Sequence, residues 1–465
     1  MNAALPIRST FALLALATAG SAQVTWTTLA GTGAPIAFNG HCWDSARNRL
    51  VAFGGELAAV FSDTTTEWTG SQWMVLNPAV RPSARTRPAM VYDEGNQQTV
   101  LFGGFLGPGS FSNQTWRWNG TTWSLASPAS SPSVRSGSAM AFDSARQVVV
   151  LFGGFVPSGA DVGDTWEWNG STWTQRFPAG ATPLARGAHR MAYDAARGVT
   201  VLCGGYTTPG GATLSDTWTW DGTSWTQRPS LPGTLCDQVF AYDTGRRRVV
   251  LWGGVRILGP TFTDLNQTFE WDGAAWTPRS PLVVPNARNS TASAYDTGNH
   301  RVLMAGGTTS MAAAFADTLA YRPVNAGSAT PFGNGCPTTG GPVQLDAPSL
   351  PYAGSSFVHE IGNAPAAAVI GLIAYGLSNT NWNGVPLPVD LAVAGAPGCF
   401  LLISPDVTAV TLLTNGTGTV TWDIPNQPAL VSQQFFTQAI VLDPNSPLAF
   451  QIGVSSGRAC VIGAL

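Results

Sequence analysis

Short apolar or alternating runs separated by turn residues recur along most of this chain. The clearest stretch runs from Arg135 to Arg176 and contains four such runs: Ser138 to Phe142, Val148 to Phe152, Thr165 to Trp168 and Thr172 to Gln175. Alternation at period two predicts strands with one face buried. Asp143-Ser144-Ala145-Arg146 and Asn169-Gly170 supply the turns, and Asn-Gly is the strongest hairpin signal because both turn positions favour φ > 0. One copy is therefore expected to be a four-stranded antiparallel meander, too edge-exposed to stand alone.

The pattern repeats. Its double glycine returns at Gly54-Gly55, Gly103-Gly104, Gly153-Gly154, Gly204-Gly205, Gly253-Gly254 and Gly306-Gly307, a spacing of 49, 50, 51, 49 and 53 residues. Radial sheet repeats have periods of this size. An apolar strand precedes each pair and an aromatic strand follows it. Five copies then add a glycine turn and a tryptophan: Gly70 with Trp73, Gly120 with Trp123, Gly170 with Trp173, Gly222 with Trp225, and Gly273 with Trp276. The sixth stops at Leu319–Pro323. Val24–Leu29 matches the missing fourth strand, so this segment is expected to pair with the last copy and leave no bare sheet edge.

A double glycine after an apolar strand, Asp-Thr-Trp, a later turn with Trp, then Pro and Arg before the next copy, resembles the kelch repeat and the related galactose-oxidase-like propeller. The resemblance covers residues 24 to 323. It implies a six-bladed kelch-type β-propeller closed by an N-terminal strand, and usually a binding role. The copies are not identical: the fifth has Leu235 for the leading Arg and Phe269 for the first Trp, and the first has Thr64-Thr65-Thr66 in place of Asp-Thr-Trp.

Beyond residue 323 the period disappears. Runs at Ser356–Glu360, Ala368–Tyr375, Phe400–Ile403, Val407–Leu413, Gly418–Ile424, Phe435–Leu442 and Ala449–Val454 predict an antiparallel β-sandwich over residues 324–465. The whole chain is thus expected to be all-β. Its N-terminus reads as an export signal over residues 1–22: Arg8, the apolar run Phe11–Ala19, then small residues before Gln23. Residues 23–323 would form the propeller, outside the cytoplasm in the secreted, periplasmic or cell-surface space.

Composition narrows the partners. Of 465 residues only 11% are charged and the net charge is −3, with no basic stripe to hold nucleic acid. There is no lysine, which excludes a Walker phosphate loop and Schiff-base chemistry. No apolar run is long enough for a helical membrane span. Of the six cysteines, Cys336 and Cys399 are the expected disulfide; Cys203 and Cys236 could pair across a copy boundary, with buried free thiols as the other reading.

Strand parity places the function. The first-to-second and third-to-fourth connections share one face as tight turns. The second-to-third connections and the crossings between copies share the other, where they are long and varied, and binding residues gather on such loops. The candidate surface comprises Phe105, Phe111, Phe155, Asp161, Tyr206, Arg256 and Phe262, with Arg135, Arg186, His189 and Arg190 toward the channel mouth. Arg85, Arg135, Arg186 and Arg288 recur before the first strands of four copies, so hydrogen bonding between copies is their primary reading and ligand contact the second. The tryptophans read as wedges between sheets.

No catalytic residue, metal site or cofactor is expected. The four histidines are too scattered for copper oxidase chemistry, and Gly453-Val454-Ser455-Ser456-Gly457 matches a nucleophile elbow without its strand-turn-helix context or a following histidine. The expected function is a binding or interaction module for protein or carbohydrate. A carbohydrate-active or galactose-oxidase-like enzyme on the same propeller is the alternative, and a structural envelope component the third.

Overall fold

The computed structural model describes residues 24–463, apart from 30–32, 34–36, 209–210, 312–313, 324–327, 339–340, 348, 354, 395, 397–398, 426, 428–429, 432 and 446–451. The expected export signal, residues 1–22, lies outside the described residues, as do residues 449–451 at the start of the last expected tail strand. Strands dominate, and the only helix among the described residues is one 3-10 turn, Leu391–Ala394. None is long and apolar enough to cross a membrane. The chain divides into two compact units that meet in sequence at residues 324 and 325.

The first unit contains six open four-stranded antiparallel sheets, one per sequence copy. In the third copy the strands are Ala139–Asp143, Val148–Phe155, Asp161–Trp168 and Trp173–Arg176, hydrogen-bonded in chain order. The second strand is buried on both faces: Val149, Val150, Leu151 and Phe152 are fully covered. The sixth sheet takes Ala292–Asp296, Arg301–Ala305 and Thr318–Pro323 from its own copy. Its outer strand is Val24–Leu29, antiparallel to Thr318–Pro323 with Trp26 opposite Tyr321.

Turn chemistry differs from the sequence expectation in one respect. The third-to-fourth connection is not a two-residue hairpin, because Trp168 pairs with Trp173 and leaves four residues between them. Asn169 does not adopt positive φ; its Oδ1 accepts the N–H groups of Ser171 and Thr172, both at 3.0 Å, and only Gly170 is left-handed, at 93°. A side-chain acceptor has replaced the second left-handed residue. The double glycine is needed where it stands. Gly153 has φ of 67°, and a Cβ there would lie 2.5 Å from the Arg186 carbonyl oxygen of the next copy.

Tryptophan joins the sheets. Trp123, Trp173, Trp225 and Trp276 each donate Nε1–H to a third-strand threonine of the preceding copy, namely Thr65, Thr115, Thr165 and Thr217, at 2.8–2.9 Å. Trp73 of the first copy donates to Thr318 of the sixth at 2.8 Å. Each buried indole removes roughly 150–250 Å² from water, about 4–6 kcal/mol gross.

The expected long loops between second and third strands are themselves structured. In four copies they form separate two-stranded ribbons: Glu56–Leu57 with Val60–Phe61, Phe105–Gly107 with Ser110–Phe111, Tyr206–Thr207 with Ala212–Thr213, and Val255–Leu258 with Thr261–Asp264. In the third copy the second and third strands simply run on as a hairpin. Short segments with few apolar residues gave no period to read.

The second unit holds a five-stranded sheet, in spatial order Ser328–Phe332, Ile452–Val461, Gln434–Leu442, Ile370–Gly376, Val407–Leu412, and a three-stranded sheet, Gln344–Asp346, Ser356–Gly362, Gly418–Asp423. Both contribute to one apolar cluster: Leu345, Phe357 and Ile361 from the smaller, Ile373, Phe435 and Val441 from the larger. Ser455 and Gly457 lie inside the long strand Ile452–Val461 and not on a nucleophile elbow. Cys336 and Cys399 are joined in a disulfide, whereas Cys42, Cys203, Cys236 and Cys460 are buried free thiols.

Candidate binding site

Just before its first strand, each copy places one residue in the left-handed region: Phe38, Arg87, Gly137, Ala188, Asp237 and Ser290, with φ of 58°, 53°, 66°, 56°, 54° and 56°. Only one is glycine, and each of the others costs about 1–2 kcal/mol of backbone strain. The conformation aims the backbone groups along a chain of hydrogen bonds. Arg87 N–H donates to Phe38 O at 2.7 Å, Gly137 to Arg87 at 2.9 Å, Ala188 to Gly137 at 2.8 Å, Asp237 to Ala188 at 3.0 Å and Ser290 to Asp237 at 2.9 Å. Phe38 N–H then donates to Ser290 O at 3.3 Å, so the sequence of donors returns to its start.

Arg87 and Asp237 stand three steps apart in this six-membered cycle, and their side chains meet across it, Nη1 to Oδ2 at 2.9 Å. Arg190 reaches the other Asp237 oxygen at 3.4 Å, and the Arg87 guanidinium lies 4.2 Å from the centre of the Phe38 ring. Two cavities abut this crossing. The smaller, about 370 Å³, is lined by first-strand residues of all six copies, among them His41, Met90, Met140 and Met191. The larger, about 600 Å³, is bounded by Arg87 and Asp237 and walled by Phe155 at the end of a second strand and by Leu57, Tyr206, Ile257 and Phe262 from the ribbons. Its volume is that of a ligand site.

The structure separates the sequence-expected residues into three groups. Phe155, Tyr206 and Phe262 line the larger cavity; the first two rings are 6.2 Å apart, and Phe262 is 55% exposed. Arg190 lines the smaller one. Phe105, Phe111, Asp161 and Arg256 are outside both. Phe105 packs on Phe111 at 5.1 Å and on Phe61 at 5.6 Å, and Arg256 is exposed beside a minor pocket with Leu231 and Leu265. Asp161 ties neighbouring copies together by accepting the Thr208 backbone N–H and hydroxyl.

Arg135, Arg186 and His189 are corrections to the candidate surface, since all three are buried. Arg135 forms a two-pronged pair with Asp164, at 2.5 and 2.8 Å, and donates to the Gly153 carbonyl. Arg186 repeats this with Asp216, at 2.5 and 2.7 Å, and with Gly204. Burial alone would raise the Asp216 carboxyl, but Arg186 and the Trp218 N–H outweigh it and hold it below its ordinary value. The fifth copy lacks both partners together, with Leu235 for the arginine and Gln267 for the aspartate. His189 packs its ring 5.5 Å from that of Phe152; burial, then Arg186 and Arg190, hold its pKa well below the ordinary value.

Phe38, Arg87 and Asp237 were not legible as site residues. Their signal is a position two residues after the leading arginine. It reads Arg87, Gly137, Ala188, Asp237 and Ser290, varied while its neighbours repeat. Among the described residues, no group of three or more His, Cys, Asp or Glu side chains is placed to hold a metal ion.

Six four-stranded meanders with a double glycine ending each second strand define an all-β repeat protein. More specifically, the KLHDC2/KLHL20/DRC7 Kelch-repeats domain matches residues 40–229, and over that stretch the chain is similar to kelch-repeat proteins. Kelch repeats commonly mediate protein–protein interaction. No curated protein matches the chain.

Proposed function

We propose that this is a protein-binding module that engages its partner through the face carrying the ribbons. The observation that carries the reading is a set of exposed apolar side chains on the ribbons at the larger cavity: Leu57 and Phe262, which line it, are 51% and 55% exposed, and Val60 and Leu258 on the same two ribbons are 69% and 75% exposed. Large apolar side chains gathered on one face mark an interaction surface. The scaffold is a six-bladed propeller, closed by Val24–Leu29. Three features support closure: the returning cycle of backbone bonds, the pairing of that strand with Thr318–Pro323, and the Trp73–Thr318 bond between first and sixth copies. The second unit is a β-sandwich, supported by the apolar cluster its two sheets share. Residues 1–22 direct export, supported by their charge and apolar pattern.

The test is capture from the producing cell's envelope and culture fluid with the wild-type chain and with Leu57→Arg/Phe262→Arg. One or a few proteins retained by the wild type alone are expected. Identical retention by both chains overturns the reading, as does retention of glycan with no protein. N-terminal sequencing of the exported form should begin at Gln23.

A further inference from the structure

We infer that the larger cavity accepts the tip of an apolar peptide segment carrying a basic side chain, with Glu56 as its counter-charge. This rests on the ribbon face being the binding surface. The charges at the bottom of the cavity are already matched: Asp237 is 5% exposed by side chain and bonded to Arg87 and Arg190, and Arg87 also covers the Phe38 ring. The nearby acids are occupied too. Asp161 accepts from Thr208, and Asp264 from Ser310 and Asn289.

Glu56 is different. It lines the cavity, is half-buried, and has no side-chain hydrogen bond or ion pair among the described residues. On a cavity wall shared with Leu57, Ala58, Ile257 and Phe262, Glu56 is a half-buried carboxylate without a counter-ion among the described residues. A partner's cation restores that balance, and charge of that sign is what selects it.

Backbone strain sits beside the same residue. Ala58 and Ala59, which join the two strands of the Glu56 ribbon, are both left-handed, at 51° and 63°, where Asn-Gly is the low-strain choice. Both alanines line the cavity. They keep its wall apolar at the expense of the turn, as strained positions at ligand clamps do. The Arg87–Asp237 pair crosses the hydrogen-bonded cycle, so the segment enters from one side as a loop tip or chain end and does not thread through.

A random heptapeptide display library selected on the full chain tests this. Enrichment of Arg or Lys next to Leu, Phe, Met or Trp is expected. A synthetic copy of an enriched peptide, followed by fluorescence polarisation, should bind Glu56→Gln about tenfold more weakly than wild type. Phe262→Ala should also weaken it, and both variants should keep the wild-type unfolding midpoint. Enrichment of acidic or uncharged peptides, no enrichment, or equal affinity for Glu56→Gln overturns the inference. Sensitivity to Phe262→Ala without sensitivity to Glu56→Gln removes the charge assignment and leaves the binding face standing; indifference to both removes the face as well.

Discussion

Arg186 shows how a single side chain changes meaning between sequence and structure. Its recurrence in four copies favours a scaffold role over ligand contact, and the structure resolves it into a covered clamp on Asp216 and Gly204. Truncating one partner leaves the other's charge buried, at a cost of about 3–5 kcal/mol. Arg186→Met should therefore lower unfolding stability by that amount in urea titrations. Arg186→Met/Asp216→Leu should recover part of it, and an exposed control such as Arg256→Met should do nothing. The buried histidines give a pH dependence of definite sign. His189 and His359 are fully covered, and His359 is lowered to about 3 by burial, then by Arg458. Below the ordinary value of about 6.5 the unfolded chain takes up protons that the folded chain does not. Stability is thus intact above about 6.5 and declines as the pH falls from there toward 3, by up to about 1.4 kcal/mol per pH unit for each histidine. Urea midpoints at about pH 7.5 and about pH 5 should differ accordingly, and His359→Phe should shrink the difference.

Element by element, the repeat was legible wherever apolar periodicity was strong. The second strands, the double glycines and the tryptophan positions stand where the sequence placed them, because each is over-determined by burial on both faces. The ribbons were not legible, since strands as short as Val60–Phe61 carry no period. A second layer of order escaped for a different reason: aligning the copies on what they share hides what alternates. Glu67, Glu167 and Glu270 occupy the third strand of the first, third and fifth copies only, and the equivalent residues of the others are Arg117, Thr219 and Ala320. Each buried glutamate accepts from a ring in the next copy: Trp118 at 3.0 Å, Trp220 at 3.1 Å and Tyr321 at 2.8 Å. Across the alternate boundaries the indoles of Trp68, Trp168 and Trp271 have no acceptor. These bonds therefore add a link at every second boundary, beyond the tryptophan–threonine bonds. Trp220→Phe and Trp168→Phe remove the same atoms, yet only the first loses a bond to a charged acceptor, worth about 1.5–3 kcal/mol. Trp220→Phe should be the more destabilising by about that margin in paired chemical-denaturation curves. Equal losses would mean that the glutamates do not couple neighbouring sheets.

At the scale of the molecule, the strand Val24–Leu29 bears on whether six sheets behave as one body. Its sequence likeness to the fourth strands was visible at the start. What sequence could not show is how completely it is embedded. Trp26 is fully buried, 5.5 Å from Trp252 in the fifth copy and 5.1 Å from Tyr321 in the sixth, so it touches two sheets while completing one. Trp26→Ala should cost about 3–5 kcal/mol, as large cavities in cores do. Deleting residues 24–29 should do more. It bares the Thr318–Pro323 edge, uncovers Trp252, and removes the covalent start of the cycle from its end. If the ring is one cooperative structure, the shortened chain unfolds at lower urea over a broader range. A synthetic peptide of residues 23–32 then raises its midpoint in proportion to the logarithm of peptide concentration, because the peptide binds only the folded form. If the six sheets instead stack as an open row, the loss stays confined to the sixth sheet. The tryptophan fluorescence of the remaining copies then melts at the wild-type midpoint with or without peptide, an outcome that would sink the closed propeller and, with it, the cavities its copies share.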